Sequence, residues 1–286
     1  MGGQMRNYNK EDIEMTVCAD CHLHTSFSGD STAPMEEMIL KGIALGLTSM
    51  CFTEHMDMDY VYLDPKDEGI FELNTDSYLY DFIKYKENYA SRIKLLFGVE
   101  LGVQPSLGPR LSGYVQSYDF DFVIASSHLC NGKDPYYPYF YEGRSDEKAY
   151  REYFLSILDN LKGFDDFDVY GHLDYVVRYG KEKDKDYSYD KYKDILDKIL
   201  ETILEKGKGI EVNTGATGYG LRDLNPCTDI LKRYRELGGE IVTLGSDAHK
   251  SADIARAFER AAGILISCGF RYYTVFEKRV PSFYRL

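Results

Sequence analysis

Six histidines occur in the chain, and each lies in a short polar cluster that directly follows an apolar run. The clusters are His22-Leu23-His24, Thr53-Glu54-His55, His128 within ASSHL, His172 within YGHLD, and Ser246-Asp247-Ala248-His249; Glu100 follows another such run within GVELG. Imidazole and carboxylate are the ligand types that hold catalytic divalent metals. A spacing of two residues along a strand puts both side chains on one face, so His22 and His24, and likewise Asp247 and His249, can converge on a single cavity. Asp30, shortly after the first cluster, adds a carboxylate. The candidate metal ligands are therefore His22, His24, Asp30, His55, Glu100, His128, His172, Asp247 and His249. At three or four protein ligands per ion, with one shared, this set suits roughly two or three ions.

Other chemistries fit less well. A histidine general base would use only one or two of these residues. The chain has no G-x-S-x-G elbow, no phosphate-binding P-loop and no G-x-G-x-x-G. A closed structural zinc site would take four ligands, commonly cysteines. Cys18 and Cys21 form the one C-x-x-C, but on a strand they face opposite sides, with Cys18 on the side of His22 and His24. A redox pair is not expected there.

The elements that must position these residues follow a βαβα rhythm. Dense apolar runs at 16–21, 47–52, 94–98, 120–125, 167–170, 209–212 and 240–244 read as parallel strands covered on both faces. Amphipathic stretches at 35–44, 77–90, 146–161, 189–205, 227–237 and 253–267 read as helices. Seven such strands predict an α/β barrel rather than an open sheet, and 272–276 reads as a late edge strand. The histidines then share one rim, the C-terminal ends of the strands, where barrel enzymes keep their catalytic residues. Residues 1–14 read as a polar tail, with Met15 as an alternative start, and 15–286 as one domain. Two long connections, 56–74 and 129–144, have the length of lids or binding walls, or equally of plain surface loops whose aromatics cover the core; the second carries Tyr136, Tyr137, Tyr139, Phe140 and Tyr141.

Composition narrows the partners. The 286 residues carry a net charge of −13, which argues against a nucleic-acid backbone as ligand but not against one small anion bound by local arginines or metal ions. No apolar run reaches membrane-spanning length, and the first residues lack a secretory pattern, so a cytoplasmic protein acting on a small molecule is expected. Oligomeric state is not legible. The alternating charges of 181–186 read as a solvated loop.

The stretches DCHLHTSFSGDS, CFTEHMD, FGVELG, VIASSHL, YGHLDYVVRYG and TLGSDAHK, in this order, resemble the polymerase-and-histidinol-phosphatase (PHP) superfamily. The resemblance implies a distorted seven-stranded (β/α) barrel with its metal site at the C-terminal ends of the strands. FSGDS after H-x-H, GHLDYVVRYG, DPYYPYFYEGRSDEKAYREY and the closing YYTVFEKR look most like the histidinol-phosphate phosphatase branch, as does Asp30 where many other members carry histidine. The implied activity is hydrolysis of L-histidinol phosphate in histidine biosynthesis by metal-activated hydroxide; another small ester, such as a nucleotide or phosphosugar, is the alternative. The implied ligand sets are His22, His24, Glu100 and Asp247 for one ion, and Glu100, His128 and His172 for a second. Asp30, His55 and His249 would hold a third, with zinc, manganese or iron as the metal. Glu100 would bridge and Arg178 would bind phosphate; the third ion, His249 and Asp247 are the alternatives for serving the leaving group, and the sequence does not decide among them. Arg222 resembles a second phosphate contact, although an inserted ATGYG precedes it. Asp57, Asp59 and the tyrosine-rich 136–141 stretch are candidates for the substrate amine.

Overall fold

In a computed structural model of the protein, which describes residues 17–286, seven parallel strands form one sheet in sequence order. They are β1 (Ala19–Leu23), β2 (Ser49–Met56), β3 (Lys94–Gly102), β4 (Phe122–Ser126), β5 (Val169–Tyr170), β6 (Gly209–Asn213) and β7 (Val242–Gly245). Seven helices cover them: α1 (Met35–Ala44), α2 (Thr75–Tyr89), α3 (Gly108–Val115), α4 (Asp146–Gly163), α5 (Tyr189–Glu205), α6 (Thr228–Glu236) and α7 (Phe258–Ser267). The expected tail and Met15 lie outside the described residues. Among the described residues, no helix is long and apolar enough to cross a membrane.

Each helix buries one stripe against the sheet. In α5 the buried residues Tyr192, Ile195, Leu196, Ile199, Leu200 and Ile203 recur at three- and four-residue spacing. Ser145 caps α4 by accepting the Lys148 N–H, and Asn74 caps α2 by accepting that of Ser77. The short α3 was not expected from the sequence.

Strand bounds shift from the expected ones in an informative way. β2 and β3 run four residues beyond their apolar segments and stay in register, with Thr53 opposite Gly98 and His55 opposite Glu100. Backbone pairing continues through the polar residues because their side chains are buried inside the barrel. β1 starts later than expected, since Cys18 already ends the ladder by accepting from Thr48 N and Ser49 N.

The barrel closes between β7 and β1 only at the C-terminal rim. Asp247 N donates to His22 O at 2.9 Å and His24 N donates to Ala248 O at 3.0 Å. Gly245 permits this approach, because a Cβ there would overlap His22 and Glu211. The expected edge strand at 272–276 is instead β8 (Tyr272–Glu277), paired antiparallel with β9 (Val280–Arg285) in a separate hairpin. That hairpin lies against the strand N-termini. Thr274 Oγ1 accepts the Val242 N–H, and at the turn Arg279 N donates to Asp121 O while Arg279 Nε donates to Asp168 Oδ2. It therefore seals the end opposite the histidines, which explains why it never joins the parallel sheet.

Candidate metal centre

The C-terminal rim brings all six imidazoles together. The His24 ring lies 4.2 Å from both His55 and His249, and His128 lies 5.2 Å from His55 and 5.4 Å from His172. All but His249 are buried.

One group consists of His22 Nε2, His24 Nε2, Glu100 Oε2 and Asp247 Oδ1. The two nitrogens are 2.9 Å apart, and the separations to the oxygens run from 3.2 to 3.6 Å. Atoms each about 2.1 Å from one ion stand about 3.4 Å apart in a tetrahedron. With Glu100 Oε2 beside both nitrogens, His22, His24 and Asp247 therefore have the spacing to hold one cation. Asp247 reaches it from a backbone φ of +55°, a region non-glycine residues seldom adopt and a recurrent feature of functional sites. A second group uses the other oxygen of the same glutamate: Glu100 Oε1 lies 3.2 Å from His128 Nε2 and 2.9 Å from His172 Nε2. At the outer edge, Asp30 Oδ2 lies 3.1 Å from His249 Nε2 and 3.6 Å from His55 Nε2. His55 Nδ1 also comes within 3.1 Å of Glu100 Oε2, so this ring faces two groups.

Three of these atoms, His55 Nδ1, Glu100 Oε2 and His249 Nε2, are buried and make no hydrogen bond of good geometry despite these short separations. Leaving such groups unpaired is costly unless a ligand completes them. The electrostatics agree. Burial opposes charge on His22, yet Glu211, Glu100 and Asp247 outweigh it and hold the imidazole well above its ordinary pKa. Burial likewise opposes charge on His128, but Asp57 and Glu100 push it up to about 10. His24 goes the other way, held down by burial and by the charges of His55 and His249. The carboxylates demand positive charge, which protons supply here and which bound cations would displace. The donor set therefore fits divalent metal.

Residues behind the ligands orient them. His22 Nδ1 sits 2.5 Å from Glu211 Oε1, and His128 Nδ1 sits 2.9 Å from Asp57 Oδ1. Ser126 Oγ donates to Glu100 Oε1 at 2.7 Å. Gly102 leaves room for the Asp57 carboxylate, which a Cβ would overlap. Glu211 escapes sequence reasoning because it lies within an apolar strand with no neighbouring histidine.

Above the cluster is a cavity of about 300 Å³, the lower end of the range for small-molecule sites. Both long connections wall it. Tyr60 and Phe71 come from the first, Asp134, Tyr136 and Tyr137 from the second, and the Tyr60 hydroxyl donates to Asp134 Oδ2 at 2.6 Å to tie the two together. Phe140 and Tyr141 instead pack in the core, so the expected tyrosine run divides between wall and core.

Arg178 lies at the cavity wall, 3% exposed. Its Nε donates to Asn225 Oδ1, Nη2 to Asn213 Oδ1 and Nη1 to Asp247 Oδ2, at 2.8, 2.8 and 3.1 Å. The rings of Tyr175 and Tyr219 lie 5.3 and 5.0 Å from the guanidinium carbon. Three of the five guanidinium N–H groups are so engaged. Arg222 is not brought to the cavity. Its side chain is 69% exposed and pairs with Asp184; the inserted segment instead delivers Tyr219 to the cavity wall. Asp59 is also outside, exposed and paired with Arg110, and Asp57 is occupied with His128.

A family model described as the PHP domain matches residues 20–215. The chain belongs to the PHP family. A histidinol-phosphatase of Lactococcus lactis is 33% identical to this PHP chain over 90% of it and 94% of the relative. A probable histidinol-phosphatase of Clostridium acetobutylicum is also 33% identical, over 92% and 98%. Among solved structures, histidinol phosphate phosphatase from L. lactis, complexed with zinc, L-histidinol and phosphate, superposes with a TM-score of 0.82 at 30% identity, covering 92% of this chain and 98% of that one. The seven-stranded barrel expected from the sequence is thus the fold observed.

Proposed function

We propose that the protein is a metal-dependent phosphomonoesterase that hydrolyses L-histidinol phosphate to L-histidinol and phosphate. The observation that carries this reading is Arg178, a buried guanidinium with unspent donors beside a histidine–carboxylate cluster. That is the equipment a phosphate monoester requires. The ligand sets proposed are His22, His24, Glu100 and Asp247; Glu100, His128 and His172; and Asp30, His55 and His249. They would hold two to three zinc, manganese or iron ions. Ions in these sets would supply water activation at neutral pH and offset the charge on the phosphoryl oxygens.

The chain's own residues do the rest. Arg178 binds the phosphoryl oxygens, prealigned by Asn213, Asn225 and Asp247. The leaving oxygen departs toward the outer edge, where His249 is placed to protonate it when it holds no ion, or where an ion held by Asp30, His55 and His249 would offset its charge. Asp247, despite its burial, is kept ionised by His22, His24 and Arg178 and has no proton to give. Asp134 and the surrounding tyrosines offer a negative, aromatic wall to a cationic amine. The name and ligands of the L. lactis protein support histidinol as the alcohol.

Phosphate release from L-histidinol phosphate, measured beside nucleoside monophosphates and sugar phosphates, tests the substrate. A preference of about 100-fold in kcat/KM is expected. Equal slow rates on every ester would overturn the histidinol assignment in favour of another small ester, and full activity after thorough metal removal would overturn the metal mechanism.

A further inference from the structure

Two imidazoles of the centre lean directly on carboxylates, His22 on Glu211 and His128 on Asp57. His24 does not. Its Nδ1 faces Ser28 Oγ at 3.0 Å, and that oxygen lies 2.6 Å from Oε2 of Glu54, a fully buried carboxylate on β2. The proton count settles the direction of each bond. A serine hydroxyl has one hydrogen and two lone pairs. Its hydrogen goes to Glu54, both of whose oxygens are acceptors, for the Thr25 N–H and hydroxyl as well as for Ser28, which is the pattern of an ionised carboxylate and a strong charge-assisted bond. The His55 backbone N–H, 3.0 Å away, donates into one lone pair. The contact that remains can only be a donation from His24 Nδ1–H. With its proton on Nδ1, His24 presents the Nε2 lone pair to His22, Glu100 and Asp247.

We infer that Glu54 and Ser28 form a relay that fixes the tautomer of His24 and aims its Nε2 at the metal cluster, which makes Glu54 a positioning residue for a ligand it never touches. The same carboxylate accepts the Thr25 N–H at 2.9 Å and the Thr25 hydroxyl at 2.6 Å. Ser28 N donates to Thr25 O, and Ser31 N to Ser28 O. The turn that carries Asp30 is thus anchored on the same group, and one buried glutamate sets ligands at both the inner and the outer edge of the centre. A glutamine would not substitute. Its carbonyl would be claimed by Thr25, leaving its NH2 to donate to Ser28. The serine proton would then turn toward His24 Nδ1 and move the histidine proton onto Nε2, blocking the ligand atom.

The inference rests on the ligand assignment proposed above, and the experiment separates the two. Full-length wild type, Glu54→Gln, Ser28→Ala and Thr25→Val are loaded with zinc, and ions per chain and the rate of zinc loss to EDTA are measured. Glu54→Gln and Ser28→Ala are expected to hold zinc about 10- to 100-fold less well, whereas Thr25→Val, which trims the anchor but keeps the relay, stays near wild type. Ser28→Ala leaves the Glu54–Thr25 bonds in place and decides the matter alone should Glu54→Gln not fold. Zinc retention by Ser28→Ala equal to wild type would overturn the relay, as would equal loss from Thr25→Val, which would assign the effect to the turn. A wild-type chain that takes up no zinc would instead sink the ligand assignment.

Discussion

Arg178 spends three donors on Asn213, Asn225 and Asp247 and is flanked by two tyrosine rings. A group so constrained makes its remaining bonds with little reorganisation, which is the condition for transition-state stabilisation. Arg178→Ala is expected to lower kcat/KM by about 100- to 1,000-fold, the usual cost of one preorganised donor, with metal content unchanged. Lysine should not rescue it, since an ammonium cannot reproduce the fork. Steady-state kinetics with elemental analysis reads both outcomes. Asp57 belongs to the same scale. Its carboxylate holds His128 Nδ1, so Asp57→Asn should weaken metal binding by about tenfold or more, while the fold, followed by circular dichroism, is retained.

The elements divide the molecule into two ends. The strand C-termini and the two long connections build the cavity, while the β8–β9 hairpin seals the opposite end. This division makes a prediction. Thr274→Val keeps the shape of the side chain but strips the acceptor from the buried Val242 N–H. It should cost about 1–3 kcal/mol of stability in a denaturant titration, with zinc content and kcat unaltered. Loss of activity at full stability would show that the two ends are coupled. The 56–74 and 129–144 connections, whose length alone left lid, wall or plain surface open, both line the cavity and are joined by the Tyr60–Asp134 bond.

At the scale of the whole molecule, the centre concentrates carboxylates inside a chain that already carries a net charge of −13. Glu100, Asp247, Glu211 and Asp57 lie within it, and histidine protons offset them. Metal is therefore expected to stabilise the folded barrel by tying several strand ends together. At a free zinc concentration about 100-fold above Kd the gain is about 2.7 kcal/mol per site, and chelation should lower Tm by on the order of 5–10 °C. Differential scanning fluorimetry with EDTA, and then with zinc restored, checks this; an unchanged Tm would mean the centre contributes nothing to folding.

Much of this was legible in the chain itself. Dense apolar runs specify buried parallel strands whatever their neighbours are, and a polar cluster after each run marks one rim, because the periodicity of a strand is a local property. Eight of the nine ligand candidates, from His22 to His249, needed no three-dimensional information for that reason; Asp30 lies in the turn after the first cluster. Pairing is not local. β2 and β3 extend through His55 and Glu100 because backbone register continues where side-chain hydrophobicity stops. β8 leaves the parallel sheet because its partner β9, and Asp121 and Asp168, lie at the far end of the barrel. The second layer of the site is non-local as well. Glu211 reaches His22 across 189 positions, and Asp57 reaches His128 across 71. Arg222 shows the converse. Its sequence context suggested a phosphate contact, but the inserted turn placed Tyr219 at the cavity wall and left the arginine on the surface with Asp184. Residue type and spacing thus determined which groups could do the chemistry. Only the closure of the barrel, which brings distant strand ends within hydrogen-bond reach, decided which of them meet.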